Sequence, residues 1–192
     1  MDEREVFTSI LWRRLDLPGH DSAVLSATAA GARLRGMAVF LEDGATGLRY
    51  DMRCDATWRT TGAEIQGWCR GRAIALEVFR DLTGRWTLDG AVADAVAGCI
   101  DLDLSFTPAT NLQTLRRLDL AVGETAEVRS AWLAWPEVRL TPLVQRYARR
   151  SPEWYDYQAD LPGAERFEAR LRVDRDGWVR EYGGLWRAEE AV

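Results

Sequence analysis

Leu48-Arg49-Tyr50-Asp51-Met52-Arg53-Cys54 alternates apolar and polar side chains without a break. Successive side chains of an extended chain point to opposite faces, so this stretch has one apolar and one polar face, the pattern of a half-buried antiparallel strand. Phe167-Glu168-Ala169-Arg170-Leu171-Arg172-Val173 repeats the pattern, and so does Asp101-Leu102-Asp103-Leu104-Ser105-Phe106-Thr107. Asp43-Gly44, Asp89-Gly90 and Asp176-Gly177 are hairpin dipeptides, and Thr83-Gly84 marks a further turn before the strand expected from about Trp86. Helical periodicity is weak; its short candidates are Val92–Ala97 and part of Leu143–Arg149. The reading is all-β, mostly antiparallel, with little helix.

The chain of 192 residues suits one domain or two small fused halves, and 47% hydrophobic with 29% charged residues is ordinary for a folded globular protein. A net charge of −5 argues against nucleic acid, which selects a basic face. All 25 cations are arginine, whose planar fork suits carboxylate and phosphate, although codon usage accounts for this equally well. The opening MDEREVFTSILWRRLD is acidic, has no export-signal architecture, and no later stretch is apolar enough to span a membrane. Three cysteines, Cys54, Cys69 and Cys99, without metal-ligand spacing fit buried thiols in a reducing compartment. These features predict a cytoplasmic protein without metal or cofactor. Nine tryptophans are spread along the chain, and core packing is the default for most of them.

RRLDL occurs twice, at Arg13–Leu17 and Arg116–Leu120, each followed by a Gly-containing turn. A hairpin comes later in each half: LRGMAVFLEDGATGLRYDM, closing near Trp58-Arg59, and FEARLRVDRDGWVREY, closing near Trp186-Arg187. The shared order predicts one domain, 1–192, of two pseudo-repeats, about 10–90 and 113–190, joined by 91–112. Read as strands, the RRLDL copies place Arg14 with Asp16, and Arg117 with Asp119, on one face as mutually satisfying pairs.

The segment GCIDLDLSFTPATN (Gly98–Asn111) is the richest in polar groups. Alternation puts Asp101, Asp103, Ser105 and Thr107 on one face, a row that is either solvated or turned inward to bind a polyhydroxylated ligand. Two carboxylates on a buried face need arginine partners, and Arg59, Arg116 and Arg117 are available. Residues i and i+2 of a strand lie about 6.6 Å apart, near the carboxyl spacing of inverting glycosidases, but side by side rather than facing each other. In CDATWRT (Cys54–Thr60), Trp58 and Arg59 either clamp a headgroup or simply pack and pair. His20, the single histidine, falls in a PGHD turn and is expected to hydrogen-bond backbone. Tyr147, Trp154, Tyr155 and Tyr157, with Arg146, Arg149 and Arg150, either rim a pocket or dimer interface or cover the core edge.

These residues carry a family resemblance. WRRLD with GHD, then CDATWRT, GCIDLDLSFTPATN, RRL, QRY, YDY and VDRDGWVREY together resemble the "Putative glycolipid-binding" family of bacterial proteins, from about Trp12 to Trp186. The chain departs from that pattern at Leu112-Gln113-Thr114, where the family carries a proline-containing stretch. The resemblance implies a spiral β-roll of two related halves, distantly similar to periplasmic lipoprotein carriers, with an amphiphilic, glycolipid-like ligand. By motif it implies Arg14, Arg59, Asp101, Asp103, Thr110, Asn111, Arg116 and Arg117 as ligand-binding residues, to which the residue pattern adds Trp58. The expected function is non-enzymatic amphiphile binding inside a roll. The alternatives are a hydrolase or isomerase on a sugar-containing substrate using Asp101 or Asp103, and a homodimeric interaction module built on the aromatic cluster.

Overall fold

The structure is a computed structural model that describes residues 6–189; the acidic opening at 1–5 lies outside them. The first half runs through β1 (Val6–Arg14), β2 (Gly19–Thr28), β3 (Gly31–Leu41), β4 (Ala45–Asp55), β5 (Thr60–Cys69), β6 (Arg72–Arg80), β7 (Trp86–Leu88) and β8 (Ala91–Val92). A single 3-10 turn (Asp94–Val96), the short β9 (Leu102–Leu104) and helix α1 (Asn111–Leu118) connect it to the second half. There follow β10 (Thr125–Ala134), β11 (Arg139–Arg149), β12 (Trp154–Asp160), β13 (Phe167–Val173), β14 (Val179–Tyr182) and β15 (Trp186–Ala188).

All fifteen strands form one sheet in the order β8-β7-β6-β5-β4-β3-β2-β1-β15-β14-β13-β12-β11-β10-β9. Every neighbouring pair is antiparallel except β9 with β10. Two meanders therefore meet at a β1–β15 seam, where Trp12 opposes Ala188. Trp12 and Trp178 pack edge to face there at 5.6 Å. The Trp12 indole donates to Val179 O at 2.6 Å and the Trp178 indole to Thr8 Oγ1 at 3.0 Å, so both tryptophans bridge the halves with their polar atoms satisfied. The hairpin dipeptides fold as their chemistry requires: Asp43 (φ 54°) precedes Gly44 (φ 115°), and Asp89 (φ 50°) precedes Gly90 (φ 77°). Consecutive positive φ angles match the twist of the flanking strands.

The sheet coils inward. Leu102 and Leu104 of β9, with Ala131 and Leu133 of β10, pack in the same apolar cluster as Leu48, Tyr50 and Ile65 of the first half. On the opposite face of β10, Val128 joins a second cluster with Leu143, Tyr147, Tyr155 and Leu171 of the second half. The β9–β10 edge is thus enclosed on both faces, and the architecture is a spiral roll.

Several local expectations are corrected by tertiary context. Leu143–Arg149 lies within β11, and Val92–Ala97 contributes only the single 3-10 turn. The second RRLDL is not a strand: Arg116, Arg117 and Leu118 end α1 and Asp119 caps it in a left-handed conformation (φ 42°), whereas the first copy ends β1. Buried Leu112 and Leu115 hold this stretch as a helix, packing that overrides five identical residues. His20 lies in β2, exposed, rather than in the preceding turn.

Inside the first half, the Tyr50 ring reaches across β3 and its hydroxyl donates to Asp21 Oδ2 on β2 at 2.9 Å. Gly36 on β3 makes this possible, because a Cβ there would stand 2.2 Å from the Tyr50 hydroxyl. Gly36→Ala is therefore expected to displace the ring and break the hydrogen bond, lowering stability by about 2–4 kcal/mol in urea unfolding.

Candidate functional site

The polar segment Gly98–Asn111 enters the interior, not solvent. Asp101 is 1% exposed, and Arg117 holds it bidentately, Nε to Oδ1 at 2.8 Å and Nη2 to Oδ2 at 2.6 Å. This parallel fork neutralises a carboxylate that burial would otherwise penalise heavily. The expected Arg117–Asp119 pair is thus replaced, because the helical turn swings Arg117 toward β9. The Arg14–Asp16 pair does form, at 2.9 Å, and Glu42 joins it at 3.0 Å.

Asp103, within β9 itself, has no arginine fork among the described residues. Its Oδ2 accepts from Gln145 Nε2 at 2.6 Å, and Gln145 also donates to the Tyr157 hydroxyl at 2.8 Å and accepts from Ser130 Oγ at 2.6 Å. Burial raises the Asp103 carboxyl to about 6, opposed by the Gln145 hydrogen bond and reinforced by Asp101. Around this chain lie four rings in mutual contact: Tyr147–Tyr157 at 5.0 Å, Tyr157–Tyr182 at 5.6 Å, Tyr157–Phe167 at 6.2 Å and Phe167–Tyr182 at 6.1 Å. Trp132 stands opposite Asp103 in the β9–β10 register. Asp103, Trp132, Phe167 and Tyr182 remain partly accessible while Gln145, Tyr147 and Tyr157 are buried behind them. The result is a patch of the second half in which the Asp103 carboxylate and the aromatic rings come together against the second apolar cluster.

The remaining sequence-predicted residues divide between this patch and other roles. Asn111 accepts from the Tyr147 hydroxyl at 2.9 Å, behind the patch. Thr110 instead receives the Leu104 N–H at 3.4 Å, and leaves α1 without a side-chain cap. The polar row predicted to include Ser105 and Thr107 ends at Leu104, because the chain turns: Ser105 accepts from the Trp135 N–H, and Thr107 donates to Asp21. The Trp58 ring lies under Arg116, at 5.7 Å, and Arg116 also donates to Asp176 O at 2.7 Å. The Arg59 side chain is exposed at the β4–β5 turn. Arg14 lies over Phe40 and Trp186 at 5.4 and 5.5 Å, at the seam between halves. In the aromatic run 147–157, Tyr147, Tyr155 and Tyr157 are buried, so these rings face the core rather than a partner.

Gln145, Tyr182, Phe167 and Trp132 were not singled out from sequence. Gln145 did leave a signal, since it interrupts the apolar phase Leu143-Gln145-Tyr147 of β11 with an amide. Gln113 left none. It donates to Leu102 O at 2.7 Å and accepts from Thr60 Oγ1 at 3.1 Å, while Thr60 accepts from Leu102 N at 3.0 Å. A cleft of about 390 Å³ opens elsewhere, lined by Arg70, Arg72, Ile74, Trp135 and Pro136, and another of about 130 Å³ lies beside Arg116 and Arg149. Neither includes Asp101 or Asp103. Among the described residues no His, Cys, Asp or Glu cluster is arranged to hold a metal, and no helix is long and apolar enough to cross a membrane.

Comparison with known proteins follows this geometry. A sequence model of a family described as "Putative glycolipid-binding" matches residues 9–188. The chain is also similar to a crystal structure of a DUF1089 family protein from Pseudomonas aeruginosa, with 31% identity over 87% of this chain and 91% of that one, and a TM-score of 0.72. No curated protein matches the chain.

Two expected outcomes test the interior. Arg117→Leu strands the buried Asp101 charge and is expected to cost about 3–5 kcal/mol, with substantial recovery in the Asp101→Asn/Arg117→Leu double variant. Burial also raises the Asp21 carboxyl to about 6, as it does Asp103. A raised folded-state value favours the protonated fold, so this stabilisation is complete below about pH 4 and is lost as pH rises through about 6, by up to about 3 kcal/mol per group. Urea unfolding of Asp21→Asn between about pH 4 and 7.5 is expected to show a correspondingly weaker loss of stability than wild type.

Proposed function

The chain belongs to the "Putative glycolipid-binding" family, and from that premise we propose that it binds an amphiphile non-covalently on the inner face of the second half. The observation that carries this reading is the partly accessible Asp103, held at Oδ2 by the Gln145 amide and set beside Trp132, Phe167 and Tyr182. A hydroxyl-bearing headgroup donates to the Asp103 carboxylate, and the rings receive the apolar portion. Each methylene removed from water there contributes about 0.8 kcal/mol. Gln145, Ser130 and Tyr157 hold Asp103 in place from behind, which limits the ordering cost on binding.

Of the residues implied by family resemblance, Asp103 contacts the ligand directly in this reading. Asp101, Arg117 and Asn111 shape the wall, while Arg14, Trp58, Arg59, Thr110 and Arg116 act outside the patch. In this reading the patch belongs to the second meander of the sheet.

The test is extraction of purified protein with organic solvent and mass spectrometry of what it releases, followed by titration of the recovered lipid. Phe167→Ala and Asp103→Asn are expected to weaken binding at least tenfold. Wild-type binding is expected to tighten as pH rises through about 6, where Asp103 becomes a full acceptor, and Asp103→Asn to lose that dependence. Absence of bound lipid, or affinity unchanged in both variants, overturns the reading. Glycoside turnover abolished by Asp103→Asn replaces it with a hydrolase.

A further inference from the structure

The outer face of the first half carries side chains that the interior does not use. Register arranges them in rows across the strands. One row runs Arg13, His20, Val39, Gly47 and Trp68 from β1 to β5, and the next runs Leu11, Ser22, Met37, Arg49 and Gln66. Leu11, Met37, Val39 and Trp68 are 44%, 55%, 44% and 55% exposed, and Leu41 continues the β3 line at 56%. Gly47 shapes the surface: a Cβ there would lie 2.7 Å from the Trp68 ring, so the glycine leaves room for the indole over β4. Met37, Val39 and Leu41 follow one another on the exposed face of β3, with Trp68 over Gly47 beside Val39, which distinguishes them from scattered exposed residues.

Charge is segregated along the same strands. Neither row contains an acid; the acids lie to either side, Asp51, Glu64 and Glu77 in the next row and Asp43, paired with Arg70, in the turn that follows Leu41. Arg49 gives its guanidinium to the Gln66 amide at 2.8 Å rather than to a carboxylate. Arg13 does have a carboxylate partner, Glu189, at 3.2 Å. In a chain of net charge −5, the strip between these acids combines exposed apolar side chains, a half-exposed indole and arginine. That combination is complementary to an anionic bilayer surface: shallow apolar side chains enter the headgroup boundary, the indole sits at its level, and arginine takes phosphate.

We propose that this face docks the protein on an anionic lipid surface. The assay is flotation with vesicles of equal phosphatidylglycerol and phosphatidylcholine against vesicles of phosphatidylcholine alone, with light scattering in parallel. Wild type is expected to float with the anionic vesicles and to be released by salt. Val39→Glu is expected to reduce the bound fraction about tenfold and Arg49→Glu several-fold. Both positions are exposed, so thermal unfolding is expected to stay near wild type. Phe167→Ala, on the inner face, is expected to float like wild type, which separates docking from ligand binding. Failure of wild type to float, or equal flotation of Val39→Glu, overturns the proposal. So does a dimer in light scattering that Val39→Glu dissociates, which assigns the face to a second copy.

Discussion

A sheet edge that is brought inside a protein carries backbone donors and acceptors into a place where water cannot serve them, and the spiral depends on satisfying those of β9. Its inner ladder is made with β10. On its other side Leu102 N meets the Thr60 hydroxyl, Leu102 O meets the Gln113 amide, and Leu104 N meets the Thr110 hydroxyl. These three side chains stand where another strand would otherwise pair. The same Gln113 oxygen accepts from Cys54 at 3.0 Å, which ties the helix, the edge strand and the end of β4 together. Without such partners the edge could not remain buried, and neither face of β9 would have a core to join.

Once β9 is fixed, its alternation assigns one face to each half. Leu102 and Leu104 enter the first core, so Asp101 and Asp103 must face the second. The strand thereby delivers two carboxylates into an apolar space, and they are handled differently. Asp101 receives the full fork of Arg117, and Asp103 receives one amide. The asymmetry makes Asp101 part of the wall and leaves Asp103 with capacity for a further donor. The first half contains a parallel case in Asp21, held by Tyr50 and Thr107, but that group is completely buried, with Oδ1 unpartnered among the described residues. Thr107 links the linker segment to the first core much as Gln145 links Asp103 to the second.

Arginine serves three physical roles in this lysine-free chain. In Arg117 it neutralises a buried carboxylate, and in Arg14 and Arg116 it stacks on aromatic rings while hydrogen-bonding a neighbouring turn or acid. On the outer face Arg49 donates to the Gln66 amide oxygen. The planar guanidinium permits the first two uses, since it combines directional donors with a weakly hydrated flat face.

The alternating stretches around Leu48–Cys54 and Phe167–Val173, together with the Asp-Gly turns, were sufficient from sequence to establish an all-β chain, because period-two burial and positive-φ turns are local properties. The family resemblance marked the polar segment 98–111 as special, and alternation placed Asp101 and Asp103 on one face. What the sequence could not contain was the partner of each polar group. Arg117 goes to Asp101 rather than Asp119 because 111–118 is helical, and that helix exists through the burial of Leu112 and Leu115 against distant strands. Gln113, Thr60 and Thr110 became edge partners because a sheet wound inward, a consequence of packing across the whole chain. Local pattern determined which way side chains alternate; long-range closure decided what they met.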